Sequence, residues 1–148
     1  GGPMSAMASQ SISRTISMQI QLDGGGRAAM PCTLAYSVED PFAVSATFHS
    51  SAGDVTWVFA RELLSQGFGE PAGTGDIVIA PLSYGTAKTI RMELNSPSGQ
   101  AVMHAPREGI EEFLAASEAL LPTGHEWVHL NFDAGLAGLL GNGGSAQY

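Results

Sequence analysis

From Ile12 to Leu22 the apolar residues Ile12, Ile16, Met18, Ile20 and Leu22 all occupy even positions, while the odd positions carry Ser, Thr or Gln. A period of two is the pattern of a half-buried strand. After Asp23-Gly24-Gly25-Gly26 the same parity returns in Met30, Cys32, Leu34, Tyr36 and Val38. The two runs predict a hairpin pairing Ile20 with Met30 and Met18 with Cys32, which gathers both apolar sets on one face. Pro31 lacks a donor and marks an edge or a bulge.

Val44, Ala46 and Phe48 continue the alternation, and Val55, Trp57 and Phe59 resume it after a turn centred on Ala52-Gly53. The phase flips from even to odd there, as a two-residue loop requires, so Phe48 is expected opposite Trp57 and Ala46 opposite Phe59. Between the second and third strands stands Asp40-Pro41, read as a reversal in which Asp40 makes an Asx turn and Pro41 fixes φ. The next stretch, ARELLSQG, turns helical, with Gly67 expected as a left-handed stop. The register brings Asp40 near Arg61, and a hydrogen bond between them is expected.

A second round follows the first. Ile77, Val78 and Ile79 form a short apolar run, Ile90, Met92 and Leu94 alternate, and Ser96-Pro97-Ser98-Gly99 turns into Ala101, Val102 and Met103. Pro106 suits the first turn of a helix whose Ile110, Phe113, Leu114, Ser117 and Leu121 share a face, with Glu108, Glu111 and Glu112 near its positive end. Beyond Pro122 come the segment HEWVHLNF, read as extended, and a brief helix from Ala134 to Leu140 that Asp133 caps. The order strands, helix, strands, helix predicts an α+β domain.

Composition narrows the function. The 148 residues suit one domain, expected over 12–140, with residues 1–11 and the Gly-rich tail 141–148 disordered and Gly1-Gly2-Pro3 an expression scar. Six Lys and Arg against fourteen Asp and Glu give a net charge of −8, which disfavours phosphate backbones and anionic lipid surfaces alike. A single cysteine, Cys32, allows no internal disulfide and fits a reducing compartment, where it reads as a small buried hydrophobe. Neither a membrane-length apolar run nor a signal-peptide layout occurs, so a cytoplasmic protein without membrane insertion is expected.

Candidate chemistry is sparse. His125-Glu126-Trp127-Val128-His129 matches the H-E-x-x-H of zinc peptidases, in which a helix sets both imidazoles on one face and the glutamate acts as base. Pro122 and Gly124 just upstream, and Trp127, Val128 and Phe132, suit an extended segment instead. There the two histidines would stand about 13 Å apart and could not share one metal. Gly73-Thr74-Gly75-Asp76 lacks the following Lys-Ser/Thr of a phosphate loop and enters a strand, so it reads as a tight turn. Trp57, Phe48 and Phe59 could stack bases, but cross-strand aromatics are more often core. His49 and His104 lie on strands as structural histidines. No catalytic group and no cofactor is nominated.

The segments DPFAVSATF, VTWVFARELLSQGF, PAGTGDIVIAP, LNSPSGQAVMHAP and EEFLAASEALLPTGHE, in that order, resemble the SsgA-like proteins, a family governing sporulation and cell division in actinomycetes. The likeness runs from Ile12 to about Leu140. It implies two antiparallel sheets with helices in a whirly-like fold and a bell-shaped homotrimer. It also implies a non-enzymatic role beside the tubulin-like FtsZ and other SsgA-like division proteins at the septum. Asp40, Pro41, Trp57, Arg61, Gly75 and Asp76 are the matched positions, and their expected job is shape. Two rivals remain, a single-stranded nucleic-acid binder by fold analogy and a zinc hydrolase through His125 and His129.

Overall fold

A computed structural model describes residues 10–73, 75–84 and 87–127. The expected scar at the N-terminus, the helix from Ala134 to Leu140 with its Asp133 cap, the tail and His129 lie outside these residues.

Alternation produces seven strands, β1 (Ser11–Gln21), β2 (Arg27–Ser37), β3 (Ala43–Ser50), β4 (Gly53–Ala60), β5 (Ile77–Tyr84), β6 (Ala87–Ser96) and β7 (Gly99–Pro106). Helix α1 (Arg61–Gln66) follows β4, and α2 (Arg107–Leu120) follows β7. The expected order of elements is present, but the two expected sheets are one. All seven strands join an antiparallel sheet in the order β4-β3-β2-β1-β7-β6-β5. The reason lies in β1, which pairs with β2 along its whole length on one side while Gln19 and Ile20 pair with His104 and Met103 on the other. This short seam joins a four-stranded wing to a three-stranded one.

Both hairpins are shifted by two residues in register from the expected pairing, and the second turns over Ser51-Ala52 rather than Ala52-Gly53. Met18 opposes Met30 and Ile16 opposes Cys32, and on the other hairpin Phe48 opposes Val55 and Ala46 opposes Trp57. A slip of two leaves every side chain on its own face, so alternation cannot distinguish the two registers. Turn chemistry does. In the first hairpin Leu22 N–H donates to the Gly26 carbonyl (3.0 Å), and Gly25 and Gly26 take positive φ, which keeps Leu22 in the loop. In the second, the Ser50 hydroxyl donates to the Gly53 carbonyl (2.6 Å) and closes the loop over Ser51 and Ala52. Pro31 sits where the β2–β3 ladder has already ended at Cys32, so its missing donor leaves no gap.

Ile16 and Met18 of β1, Cys32, Leu34 and Tyr36 of β2, Val44, Ala46 and Phe48 of β3, Phe59 of β4, Ile77 and Ile79 of β5, Ile90, Met92 and Leu94 of β6, and Met103 and Ala105 of β7 form the core with Leu64 of α1, while Ile12, Ile20, Met30 and Trp57 lie half-buried at its margin. Helix α2 closes it by laying Ile110, Phe113, Leu114 and Ser117 against β1, β6 and β7. This is the stripe that the 3.6-residue period predicts, with Leu121 only half-buried. Gly67 is not a left-handed stop: its φ is −64°. A Cβ there would stand 2.4 Å from Ile79 Cγ2, so close approach of the chain after α1 to β5 is what requires glycine.

Candidate functional site

Arg61 opens α1 directly after β4, and its N–H donates to the Phe42 carbonyl (2.8 Å). That bond points the side chain inward, where it is 2% exposed. The guanidinium lies over the Tyr36 ring, 4.6 Å from its centroid, and donates to Ser117 Oγ (3.2 Å) and Glu126 Oε2 (2.8 Å). Glu118 approaches to 3.6 Å. One buried cation thus fastens β2, α1, α2 and the segment after α2. Pro122, Gly124 with its positive φ, and the bond from His125 N–H to the Pro122 carbonyl (2.9 Å) fold that segment back toward Arg61.

Burial would raise the Glu126 carboxyl, but the Arg61 hydrogen bond and the N–H groups of Glu126 and Gly124 outweigh it and hold the group below the ordinary carboxylate range. Burial pushes the Tyr36 phenol up, with Arg61 opposing. The Tyr36 hydroxyl donates to the Pro41 carbonyl (2.9 Å), so the Asp40-Pro41 reversal is held from the same cluster.

The expected Asp40–Arg61 bond is not made. Asp40 is exposed, and the turn is held by backbone bonds, Asp40 N–H to Ser37 O (3.0 Å) and Ala43 N–H to Asp40 O (3.2 Å), while Arg61 turns to α2. Its true partners are 56 and 65 residues downstream. The sequence did carry one signal: Arg61 and Leu64 share the buried stripe of α1, where an unpaired cation is prohibitively costly.

Of the segment read as extended, only His125 to Trp127 lie among the described residues, and the last two of these depart from that reading. Glu126 and Trp127 have helical backbone, and Trp127 meets the Phe42 ring edge-on at 4.9 Å. Glu126, the would-be base of the zinc motif, is occupied by Arg61 and 7% exposed, while His125 is exposed. No group of three or more His, Cys, Asp and Glu that could hold a metal forms among the described residues.

Gly75 and Asp76 form the expected turn, held from β6 by Asn95 through the Gly75 carbonyl (2.9 Å) and the Asp76 carbonyl (2.8 Å). Cys32 is fully buried, and desolvation pushes its thiol up to about 12. His104 is also buried; its Nε2 meets Gln21 Oε1 (3.2 Å) while Nδ1 has no partner among the described residues. Burial first, then Arg27 and Arg91, lowers its pKa below the usual imidazole value.

His49 has the partners that sequence reasoning missed. Its Nδ1 lies 3.1 Å from Asp54, its Nε2 2.7 Å from the Thr33 hydroxyl, and Thr33 meets Thr15 at 2.9 Å. Thr15 with Thr33 and His49 with Asp54 are facing pairs and Thr33 with His49 a diagonal one, a product of register that alternation alone does not fix. Although the order resembles a nucleophile relay, Thr33 stands mid-strand with its neighbours' N–H groups committed to the ladder. The network braces the outer face of the four-stranded wing.

Trp57 lies half-buried on the inner face of β4 and lines a cleft of about 310 Å³ with Met30, Phe48, Val55, Leu94 and Met103. The curl of the sheet makes this cleft by bringing the tip of the β3–β4 hairpin toward that of β6–β7. No charged side chain lines it. It can therefore take apolar groups, and its polar lining of Ser50, Ser96, Ser98 and Gln100 includes no histidine, carboxylate, amine or thiol to act as base or metal ligand.

These features define an α+β domain built on a single curled antiparallel sheet and cross-braced by a buried ion pair. Residues 30–126 match the family described as Streptomyces sporulation and cell division protein, SsgA. The sporulation-specific cell division protein SsgB of Streptomyces coelicolor is 40% identical over 112 residues, 75% of this chain and 82% of that protein. SsgB of Thermobifida fusca is 39% identical, covering 88% of this chain and 97% of its own. The crystal structure of an SsgA-like sporulation-specific cell division protein from Thermobifida fusca superposes with a TM-score of 0.80 at 36% identity, over 88% of this chain and 96% of that one. The chain belongs to the SsgA family of sporulation and cell division proteins.

Proposed function

We propose that this protein is a non-enzymatic adaptor that helps recruit or stabilise FtsZ at sporulation septa. The observation that carries the reading is the likeness, at 34% to 40% identity over most of the chain, to proteins named for sporulation-specific cell division. The uncharged, largely apolar cleft beside Trp57 suits binding rather than turnover. The mechanism is multivalency: a homotrimer in the bell shape implied by the family engages a polymer at several points, and later contacts become intramolecular. That gain multiplies avidity by about 10² to 10⁴ without new chemistry. The protein works in the cytoplasm, and partners supply its proximity to the membrane. A net charge of −8 repels other acidic proteins, so the contact patch is local and apolar or cationic.

Co-sedimentation with FtsZ filaments, with a monomerised variant as control, tests the reading. Pelleting that depends on the oligomer is expected. Equal pelleting by monomer and oligomer rejects the avidity mechanism, and no pelleting rejects direct filament binding.

A further inference from the structure

The two outer edges of the sheet are finished differently. At the β5 edge, Ala72 bridges Ile79 with paired backbone bonds (2.8 and 2.9 Å), and Pro81, two residues on, has no N–H to offer. Both devices block a further strand. At the β4 edge neither is present. A two-residue hairpin closes on a doubly hydrogen-bonded pair, here Ser50 and Gly53, so the N–H and C=O groups of Thr56 and Val58 turn away from β3. The Thr47–Thr56 hydroxyl contact of 2.9 Å fits the close, non-hydrogen-bonded pair that this alternation requires. Among the described residues no backbone group outside β3 bonds to Thr56 or Val58. Val58 is 63% exposed and Val55 53%, with no proline or lysine on the strand to discourage pairing.

Each face of β4 also has room beside it. Val55 and Trp57 border the uncharged cleft on the inner face, while Val58 borders a shallow hollow over Ala43 and Ser45 on the outer one. An added strand would send alternate side chains to these two places, which is how strand-adding modules combine main-chain affinity with side-chain selection.

We propose that the β4 edge over Asp54 to Val58 is a strand-addition site for an extended segment of a partner protein, with apolar side chains at alternate positions and Lys or Arg flanking them. Charge selects the occupant. The apolar lining of Met30, Phe48, Val55, Trp57, Leu94 and Met103 favours apolar side chains in the cleft, and the −8 of the whole chain attracts basic flanks. A second copy of this chain brings a second −8 and is the poorer fit. The proposal gives the adaptor reading its mode of partner capture and rests on that reading for the partner's biological role, but the binding step is tested without it.

The probe is a fluorescein-labelled synthetic peptide of alternating Thr and Val flanked by Lys pairs, with an N-methylated version that lacks the strand donors as control. Anisotropy is measured for the wild type, Val58→Pro and Val55→Ser, and amide shifts are mapped on the wild type. Val58→Pro removes an outward donor at an exposed position, and Val55→Ser preserves the backbone should the proline disturb the fold. Saturable binding is expected with shifts confined to β4 and the cleft, weakened about tenfold by either substitution, as for one or two lost contacts. Absent binding, equal affinity for the N-methylated peptide, or shifts elsewhere overturns the site. Self-association that Val58→Pro abolishes and the peptide does not compete assigns the edge to a second copy and overturns the occupant. A negative result here leaves filament co-sedimentation unaffected, and the reverse holds as well.

Discussion

The Arg61 guanidinium donates to the Glu126 carboxylate at 2.8 Å with both side chains buried, joining the first residue of α1 to the segment that follows α2. The contact holds the end of the described fold against its middle. Removing one partner strands a buried charge, whereas removing both need not.

Glu126→Leu or Arg61→Met is therefore expected to destabilise the protein by about 3 to 5 kcal/mol. Arg61→Lys recovers part of that, because lysine keeps the charge but loses the fork that reaches Ser117 and Glu126 together. The double change Arg61→Met with Glu126→Leu should cost far less than the sum of the singles. Urea unfolding of the four variants measures this, and additive losses would show that the two groups do not interact.

Acid should loosen the same contact. The Glu126 carboxyl is lower in the folded chain than its ordinary 4.5, so the unfolded chain binds the proton first and the stabilisation, complete above that value, is lost as pH falls through the folded value. Urea midpoints taken from pH 6 downward should fall less steeply in Glu126→Gln than in the wild type.

A second dependence begins at higher pH. His104 is neutral in the fold, with its pKa below the ordinary 6.5, so protonation of the unfolded chain starts to oppose folding as pH drops past that value. His104→Gln, which keeps a group able to reach Gln21, should flatten the midpoint profile between pH 6.5 and the range where carboxylates titrate. An unchanged slope would mean that the imidazole takes its proton equally well in the folded chain.

Gly67→Ala is expected to cost about 1 to 3 kcal/mol through overpacking against Ile79, because the new methyl falls 2.4 Å from Cγ2. A left-handed glycine would give a loss for a different reason, so the informative control is Gly67→Ala with Ile79→Ala. The second change removes the opposing methyl, and thermal melts should show a cost smaller than the two single losses added together.

The Cys32 thiol, pushed up to about 12 and fully buried, should ignore Ellman's reagent in the native state and react on unfolding. Reaction of the folded protein at the rate seen in urea would place the thiol at the surface.

Much of the strand assignment was legible because alternation depends on local geometry alone: successive side chains point to opposite faces wherever the strand lies. Thus Ile16, Met18, Cys32, Leu34, Tyr36, Val44, Ala46 and Phe48 on the even face and the stripe Ile110, Phe113, Leu114 and Ser117 are buried as the pattern predicts, while Ile12, Ile20 and Met30 at the margin are half-buried and Leu22 is exposed in the loop. The candidate site was less legible. Asp40 and Pro41 were placed correctly at a reversal near Arg61, but the partner chosen for that arginine was the nearest acid along the predicted hairpin. The links among His49, Asp54 and Thr33 escaped notice because they depend on register.

The sequence by itself determined which face of each strand turns inward, between which runs the chain reverses, and the acidity that bears on its partners. Tertiary structure alone decided the register of both hairpins, the joining of two wings into one sheet, the packing role of Gly67 and the partners of Arg61. The physical reason is that a slip of two residues preserves every face, so pattern is blind to it, while the geometry of the Gly25-Gly26 and Ser51-Ala52 loops is not. A buried cation, likewise, declares that it needs a carboxylate without saying which, and only the folding back of the chain after α2 supplies Glu126.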